Sequence, residues 1–343
     1  MLTKLLPKLL NHEILTRAEA EAVMNQIMAG EASPAQIGAY LVALRMKGET
    51  VDEITGSTRA MRAHAVRVTP SDSSTPLLDI VGTGGDGSHS FNISTTAAFV
   101  IAATGRRVAK HGNRAASSKC GSADVLEAAG VSMDLNPEQV AACIDTIGIG
   151  FMFAPRFHPA MKHAIGPRRE LKQRTIFNIL GPLTNPAGAT HQLTGVYDPE
   201  LTEPIARVLG ELGSTAAMVI HSHDGMDELT TAGPNRVSQL LPDGSVHSFK
   251  LHPQDFGLRD GNQEHMTGGS AEENLELMLG LLNGKIDDVR KDTVLLNAAA
   301  AISTENGDIA TAMQEARSAV ESGAALQKLE ALVESSQQLV TQQ

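Results

Sequence analysis

Three short stretches carry residue types that suit chemistry on a phosphorylated substrate. The first is GTGGDGSHSFNIST, residues 82–95. Gly82, Gly84, Gly85 and Gly87 surround the carboxylate of Asp86. Glycines let successive backbone N–H groups converge on phosphate oxygens without Cβ obstruction. Asn92, Ile93, Ser94 and Thr95 then open an apolar helical pattern. The hydroxyls of Ser94 and Thr95 fall at a helix start, where the macrodipole favours an anion. No Lys-Ser or Lys-Thr follows a final glycine, so this is not a Walker loop, and it is not the dinucleotide fingerprint either. Asp86 would repel a phosphate unless a cation lies between them.

The second stretch is AKHGNRAASSKCGSADVLEAAG, residues 109–130. Lys110, His111, Arg114 and Lys119 form a local cationic patch; Ser117, Ser118 and Ser122 add hydroxyls, and Gly112 and Gly121 add flexible amides. Polyphosphate needs this mixture of point charge and directed donors. The patch follows a strand-like run, and open α/β sheets bind ligands at strand C-termini. The third stretch, HSHDGMDELT at 221–230, places Asp224, Asp227 and Glu228 within five positions. Magnesium prefers carboxylate and phosphate oxygens. His221 and His223 raise zinc as an alternative, but no third nitrogen or sulfur ligand accompanies them. Singly, each stretch also reads as a tight turn, a solvated basic surface or an acidic hairpin. Together they hold a phosphate-rich ligand between the glycine loop and the Lys110 segment, with magnesium joining its phosphates to the acidic turn.

These stretches need a scaffold. Residues 1–66 read as wholly helical, with capping boxes at Thr16–Glu19 and Thr50–Glu53 and a Ser33-Pro34 start. RVTPSDSSTP, residues 67–76, is a linker. Beyond it, LLDIV, RVAKHG, VSMDL, GIGFMFAP, HQLTGVY, AAMVIHS and RVSQLL read as strands alternating with helices. That rhythm predicts an α/β domain, residues 77–343, with a mainly parallel central sheet surrounded by helices. The basic, helix-like segment 157–186 interrupts the rhythm, and part of it is expected to join the helical domain of 1–66.

Composition narrows the class. The 343 residues carry a formal charge of −11 and only 3% aromatics, which argues against a nucleic-acid binder or an anionic-membrane binder. Two cysteines, Cys120 and Cys143, make neither a disulfide framework nor a zinc motif. The N-terminal MLTKLLPKLLNHEIL lacks the core of a signal peptide, and no run is long enough to span a bilayer. A cytoplasmic protein is expected.

The motifs GTGGDG…FNIST, AKHGNR…SS…GSADVLE, RRELKQRTIFNILGPLTNPAG and HDGMDELT occur in this order. Their sequence resembles the anthranilate phosphoribosyltransferase family, from the N-terminal helices to the last helix. The resemblance implies transfer of a phosphoribosyl group from 5-phosphoribosyl 1-diphosphate to the amine of anthranilate, with Mg2+, by a homodimer of the nucleoside-phosphorylase class of fold. It implies that Gly82, Gly85, Asp86, Ser90, Asn92, Ile93, Ser94 and Thr95 bind the diphosphate substrate. So do Lys110, His111, Gly112, Asn113, Arg114, Ala115, Ala116, Ser117 and Ser118, together with Ser122. Ser94, Asp227 and Glu228 match magnesium ligands, and Gly82, Asn113 and Arg168 match anthranilate contacts. Ser90 and Cys120 depart mildly from the family's Thr and Ser. No dedicated general base is evident. A pyrimidine nucleoside phosphorylase is the nearest alternative, disfavoured by KHGNR and the Asp227-Glu228 pair. A non-catalytic nucleic-acid-binding homologue is disfavoured by charge and composition.

Overall fold

Residues 1–115 and 118–341 are described by the computed structural model. Four helices open the chain: α1 (Leu2–Leu10), α2 (Arg17–Met28), α3 (Pro34–Lys47) and α4 (Val51–Ala63). Local chemistry sets their ends. Thr16, Ser33 and Thr50 each accept from the backbone N–H three residues on, and Glu19, Gln36 and Glu53 return the bond. Each box satisfies two otherwise orphaned donors of a helix terminus.

The sheet has seven strands: β1 (Leu77–Gly82), β2 (Arg107–Gly112), β3 (Ile149–Phe153), β4 (His191–Gly195), β5 (Ala216–His221), β6 (Asn235–Leu240) and β7 (Val246–Leu251). Their spatial order is β3-β2-β1-β4-β5-β6-β7. The first five run parallel, and β6 and β7 are antiparallel additions. The chain therefore builds outward from β1 in one direction, then returns to lay β4 on its other side. A crevice at such a reversal, outside the carboxyl ends of the strands, is where open α/β sheets bind ligands. Here the reversal lies between β1 and β4, whose last residues, Gly82 and Gly195, stand side by side.

Two expectations fail. VSMDL is not a strand: residues 131–135 form a turn in which Val131 and Leu135 are buried. A five-residue apolar alternation cannot by itself distinguish a strand from a connection with inward-facing residues. Conversely, β7 was not anticipated; its residues are largely exposed, so it lacks the apolar run by which buried strands are read.

The remaining helices are α5 (Ile93–Ala103), α6 (Ser122–Ala128), α7 (Pro137–Ile147), α8 (Ala154–Phe157), α9 (Lys162–Leu171), α10 (Ile176–Leu183), α11 (Thr202–Glu211), α12 (Ala271–Leu282), α13 (Val289–Ile302), α14 (Ile309–Glu321) and α15 (Ala324–Thr341). They divide between the faces of the sheet. Met218 and Ile220 of β5 join the apolar cluster built around α5 and α13. Ala217 and Val219, pointing the other way as the two-residue period requires, join a cluster of α1–α4, α9, α10 and α11. Within the segment 157–186, α9 and α10 thus pack against the N-terminal helices, while Phe157 joins the other cluster. Among the described residues, no helix is long and apolar enough to cross a membrane.

Candidate active site

Glycine decides how closely the acidic turn approaches the strand ends. A Cβ on Gly82 would strike the Asp227 carboxylate, and one on Gly195 would strike the Asp227 backbone carbonyl. With both side chains absent, the turn after β5 folds over the ends of β1 and β4. Asp227 Oδ2 accepts from the Gly84 N–H at 2.6 Å, and Glu228 Oε1 accepts from the Ser94 N–H at 3.3 Å. Burial pushes both carboxyls above the usual range; Asp86 adds to the rise at Asp227, and Asp227 to that at Glu228. Two under-compensated acids side by side are a donor set for a hard cation. Asp224 is not part of it. Its Oδ1 accepts from Ser222 Oγ at 2.6 Å and Thr230 Oγ1 at 3.1 Å, closing its own turn. His221 gives Nδ1 to the Val196 carbonyl at 2.7 Å. Among the described residues, no group of three His, Cys, Asp or Glu is gathered as metal ligands.

The glycine loop is held at its base and far end, and open in the middle. Gly84, Gly85 and Gly87 adopt φ of 65°, 73° and 80°, values that side-chain-bearing residues rarely take. The N–H groups of Gly85, Asp86 and Gly87 have no acceptor among the described residues. Asp86 accepts from Ser88 N–H at 3.1 Å and from Asp227 N–H at 3.2 Å, so its carboxylate ties the loop to the acidic turn. Farther on, Phe91 N–H donates to Met266 O at 2.8 Å, and Ser90 bridges Thr267. Ile93 and Thr95 are buried; Ile93 belongs to the apolar core and has only its backbone to offer a ligand.

The second segment differs from its composition. Lys110 is 3% exposed, and its Nζ donates to the Ile80 carbonyl at 2.7 Å. Burial lowers its pKa, while Asp79 and Glu228 raise it. Arg114 is exposed but held by Glu127 at 2.6 Å and Asp124 at 3.1 Å. The patch is therefore less open than its charges suggest. Asn113 N–H donates to Ser122 Oγ at 3.2 Å, Ala115 N–H to Asp124 at 2.9 Å, and Gly112 has no room for a Cβ against Ser122 and Phe151. Ser118 Oγ lies 3.5 Å from the Cys120 carbonyl. Ala116 and Ser117 lie outside the described residues. Asn92 joins the two segments: its Nδ2 donates to Cys120 O at 3.3 Å, while its Oδ1 accepts from Asn274 at 3.0 Å.

On the other wall, the half-buried Arg168 of α9 lies 5.1 Å over the Phe177 ring, whereas Arg169 is exposed. Asp79, His158 and Arg174 were not foreseen, nor were the partners Asn185 and Tyr197. Asp79, buried in β1, accepts from Asn185 at 2.7 Å, and burial lifts its pKa to about 6. An acid inside the apolar run LLDIV was the available signal. His158 faces His111 with ring centroids 5.0 Å apart; both Nε2 atoms are buried without a partner. Burial holds His111 near pKa 3 and His158 near 4, so both are neutral. Arg174 reaches the Gly85 carbonyl and lies 4.3 Å over the Tyr197 ring. These contacts join residues distant in sequence, which spacing does not reveal.

Comparison with known proteins agrees with this geometry. Residues 3–65 match the helical bundle domain of a glycosyl transferase family, and 74–326 its a/b domain. The chain is 51% identical to anthranilate phosphoribosyltransferase of Moorella thermoacetica, over 97% of this chain and 98% of that one. It is 57% identical to the Symbiobacterium thermophilum enzyme over 84% and 83%. The Thermus thermophilus structure superposes with a TM-score of 0.90 at 43% identity, covering 97% and 99% of the two chains. A Saccharomyces cerevisiae structure in complex with phosphoribosyl diphosphate and Mg superposes at 0.88, with 27% identity and 98% coverage of both chains.

Proposed function

The chain belongs to the anthranilate phosphoribosyltransferase family, and from that premise we propose how its own residues divide the work. The reaction transfers the 5-phosphoribosyl group of phosphoribosyl diphosphate to the amine of anthranilate, releasing pyrophosphate, a step of tryptophan biosynthesis. The observation that carries the assignment to the crevice is the run of three N–H groups, Gly85 to Gly87, without an acceptor among the described residues. Such a nest is built for the diphosphate. Breaking the C1–O bond puts positive charge on the ribose and negative charge on the leaving group. Preorganised donors at the leaving group lower that barrier.

Asp227 and Glu228, with Ser94, are the residues that would hold Mg2+; the raised carboxyls fit it, because a cation relieves their mutual repulsion. The ion would neutralise charge developing on the pyrophosphate. Lys110, buried behind the strand ends between Asp79 and Glu228, would lend positive charge there, and Asn92 keeps the two donor segments in register.

Arg168 is the proposed clamp for the anthranilate carboxylate, with Asn113 and Gly82 beside it. Its planar donors suit a carboxylate, and stacking on Phe177 fixes their plane. The neutral pair His111 and His158 shapes the acceptor pocket and is not assigned proton transfer. Aniline nitrogen is a weak nucleophile, so orientation carries the acceptor's share of catalysis.

The helical unit is assigned to 1–66 with part of 157–186, and the α/β unit to the rest of 77–343. A homodimer is proposed through the helical unit, where Leu10, Val42, Met46 and Ile165 are exposed on α1, α3 and α9. A cytoplasmic location is proposed with it. The test is loss of anthranilate fluorescence on adding the protein, Mg2+ and phosphoribosyl diphosphate. Omission of any one should abolish the signal; thymidine phosphorolysis without that signal would overturn the reading.

A further inference from the structure

The glycine loop carries its ligand-facing amides at its tip, where the α/β domain bonds only the Asp86 side chain, through the Asp227 N–H; its other bonds hold the flanks. Gly84 is fixed by Asp227, and residues 89–91 by Met266 and Gly268. Between them, the one side chain from outside the loop that bonds Gly85 among the described residues is Arg174. It belongs to the connection between α9 and α10, directly after the helix that carries Arg168. Its guanidinium donates to the Gly85 carbonyl and lies over Tyr197. Tyr197 is itself anchored to the loop base, its N–H donating to Thr83 Oγ1 at 3.1 Å.

We infer that Arg174 is a positioning residue that sets the tip of the diphosphate-binding loop from the acceptor side of the crevice. The peptide unit supplies the mechanism. A trans peptide is planar, so its carbonyl and its N–H point in opposite directions. Holding the Gly85 carbonyl toward Arg174 therefore fixes the Asp86 N–H away from it, as one member of the nest. Gly84, Gly85 and Gly87 all have positive φ, a run with little intrinsic preference for a single conformation. An external bond at Gly85 selects one. The cation also sits beside Gly85, where a Cβ would come within 3.7 Å of Arg174 Nε, ordinary contact rather than a clash. Stacking on Tyr197 limits the rotamers of a long, otherwise exposed side chain.

This inference rests on the assignment of the loop to the diphosphate, and the experiment separates the two. Phosphoribosyl diphosphate binding is titrated calorimetrically, with Mg2+, on the full chain, Arg174→Ala, Arg174→Lys, Tyr197→Leu and Ser94→Ala. Arg174→Ala should weaken binding by roughly 10-fold or more, the scale of one charged hydrogen bond. The Michaelis constant for anthranilate and the melting temperature should stay near those of the parent. Lys, which keeps a donor but not the planar stack, should recover part of the loss, and millimolar guanidinium should partly rescue Arg174→Ala. Tyr197→Leu should show a smaller defect of the same kind. Normal binding by Arg174→Ala alongside weak binding by Ser94→Ala overturns the inference and leaves the loop assignment standing. Normal binding by both removes the loop assignment itself. A fall in melting temperature with equal loss for both substrates makes Arg174 merely structural and also overturns it.

Discussion

Asp227 and Glu228 are costly residues to bury, and the cost is informative. A carboxyl whose pKa burial has raised gives up stability to stay where it is, so the position must serve something other than folding. Replacing both by Asn and Gln keeps size and removes charge. The expected outcome is a turnover loss of at least ~100-fold, the scale of a lost electrostatic stabiliser, with unchanged or higher thermal stability; activity titrated against Mg2+ and a melting curve check it. Arg168 and Arg169 offer a second test, because neighbours on a helix point about 100° apart. Arg168→Ala should raise the Michaelis constant for anthranilate by about 10-fold or more, and Arg169→Ala by much less. Steady-state kinetics varying each substrate in turn decide it. At this scale part of the candidate site was legible: Asp86, Ser94, Asp227 and Glu228, singled out by type and spacing, do come together at the strand ends. The status of Lys110 and Arg114 was not, because a charge in a sequence looks the same whether it faces solvent, Glu127 or the Ile80 carbonyl.

Among the elements, those with local signals were the easiest to read. The capping boxes of α2 and α4 follow from residues three apart, and both form. The parallel strands show as apolar runs because helices cover both faces. β7 and the turn at 131–135 escaped because partners far along the chain decide their state. The close approach at the strand ends was equally invisible: Gly195 has an ordinary place in HQLTGVY until the turn at Asp227 is laid over it. Gly195→Ala should therefore be destabilising, by about 1–3 kcal/mol as in other overpacked sites. It should also cut turnover, since relief comes only by lifting the acidic turn. Chemical denaturation and kinetics on the same sample check both effects.

For the molecule as a whole, buried titratable groups set the response to acid. His111 and His158 have folded pKa values near 3 and 4, below the ~6.5 of an unfolded histidine. The unfolded chain then binds more protons, so their contribution is fully present above pH 6.5 and is lost as pH falls toward 4. At pH 5 the loss is about 2 kcal/mol for each. Asp79, raised to about 6, acts in the opposite sense. Comparing the pH dependence of unfolding in the parent and His158→Phe isolates one histidine. The variant should lose less stability between pH 7 and 5, and identical slopes would refute the neutral assignment. The strand order has a consequence of another kind, for synthesis. β1 is bordered early by β2, but its other neighbour, β4, leaves the ribosome only after two more strands and six α-helices. Until then the central strand of the future crevice has one unpaired edge, a template for pairing with another chain. The reversal that creates the binding crevice is thus also the interval in which the nascent chain most needs shelter.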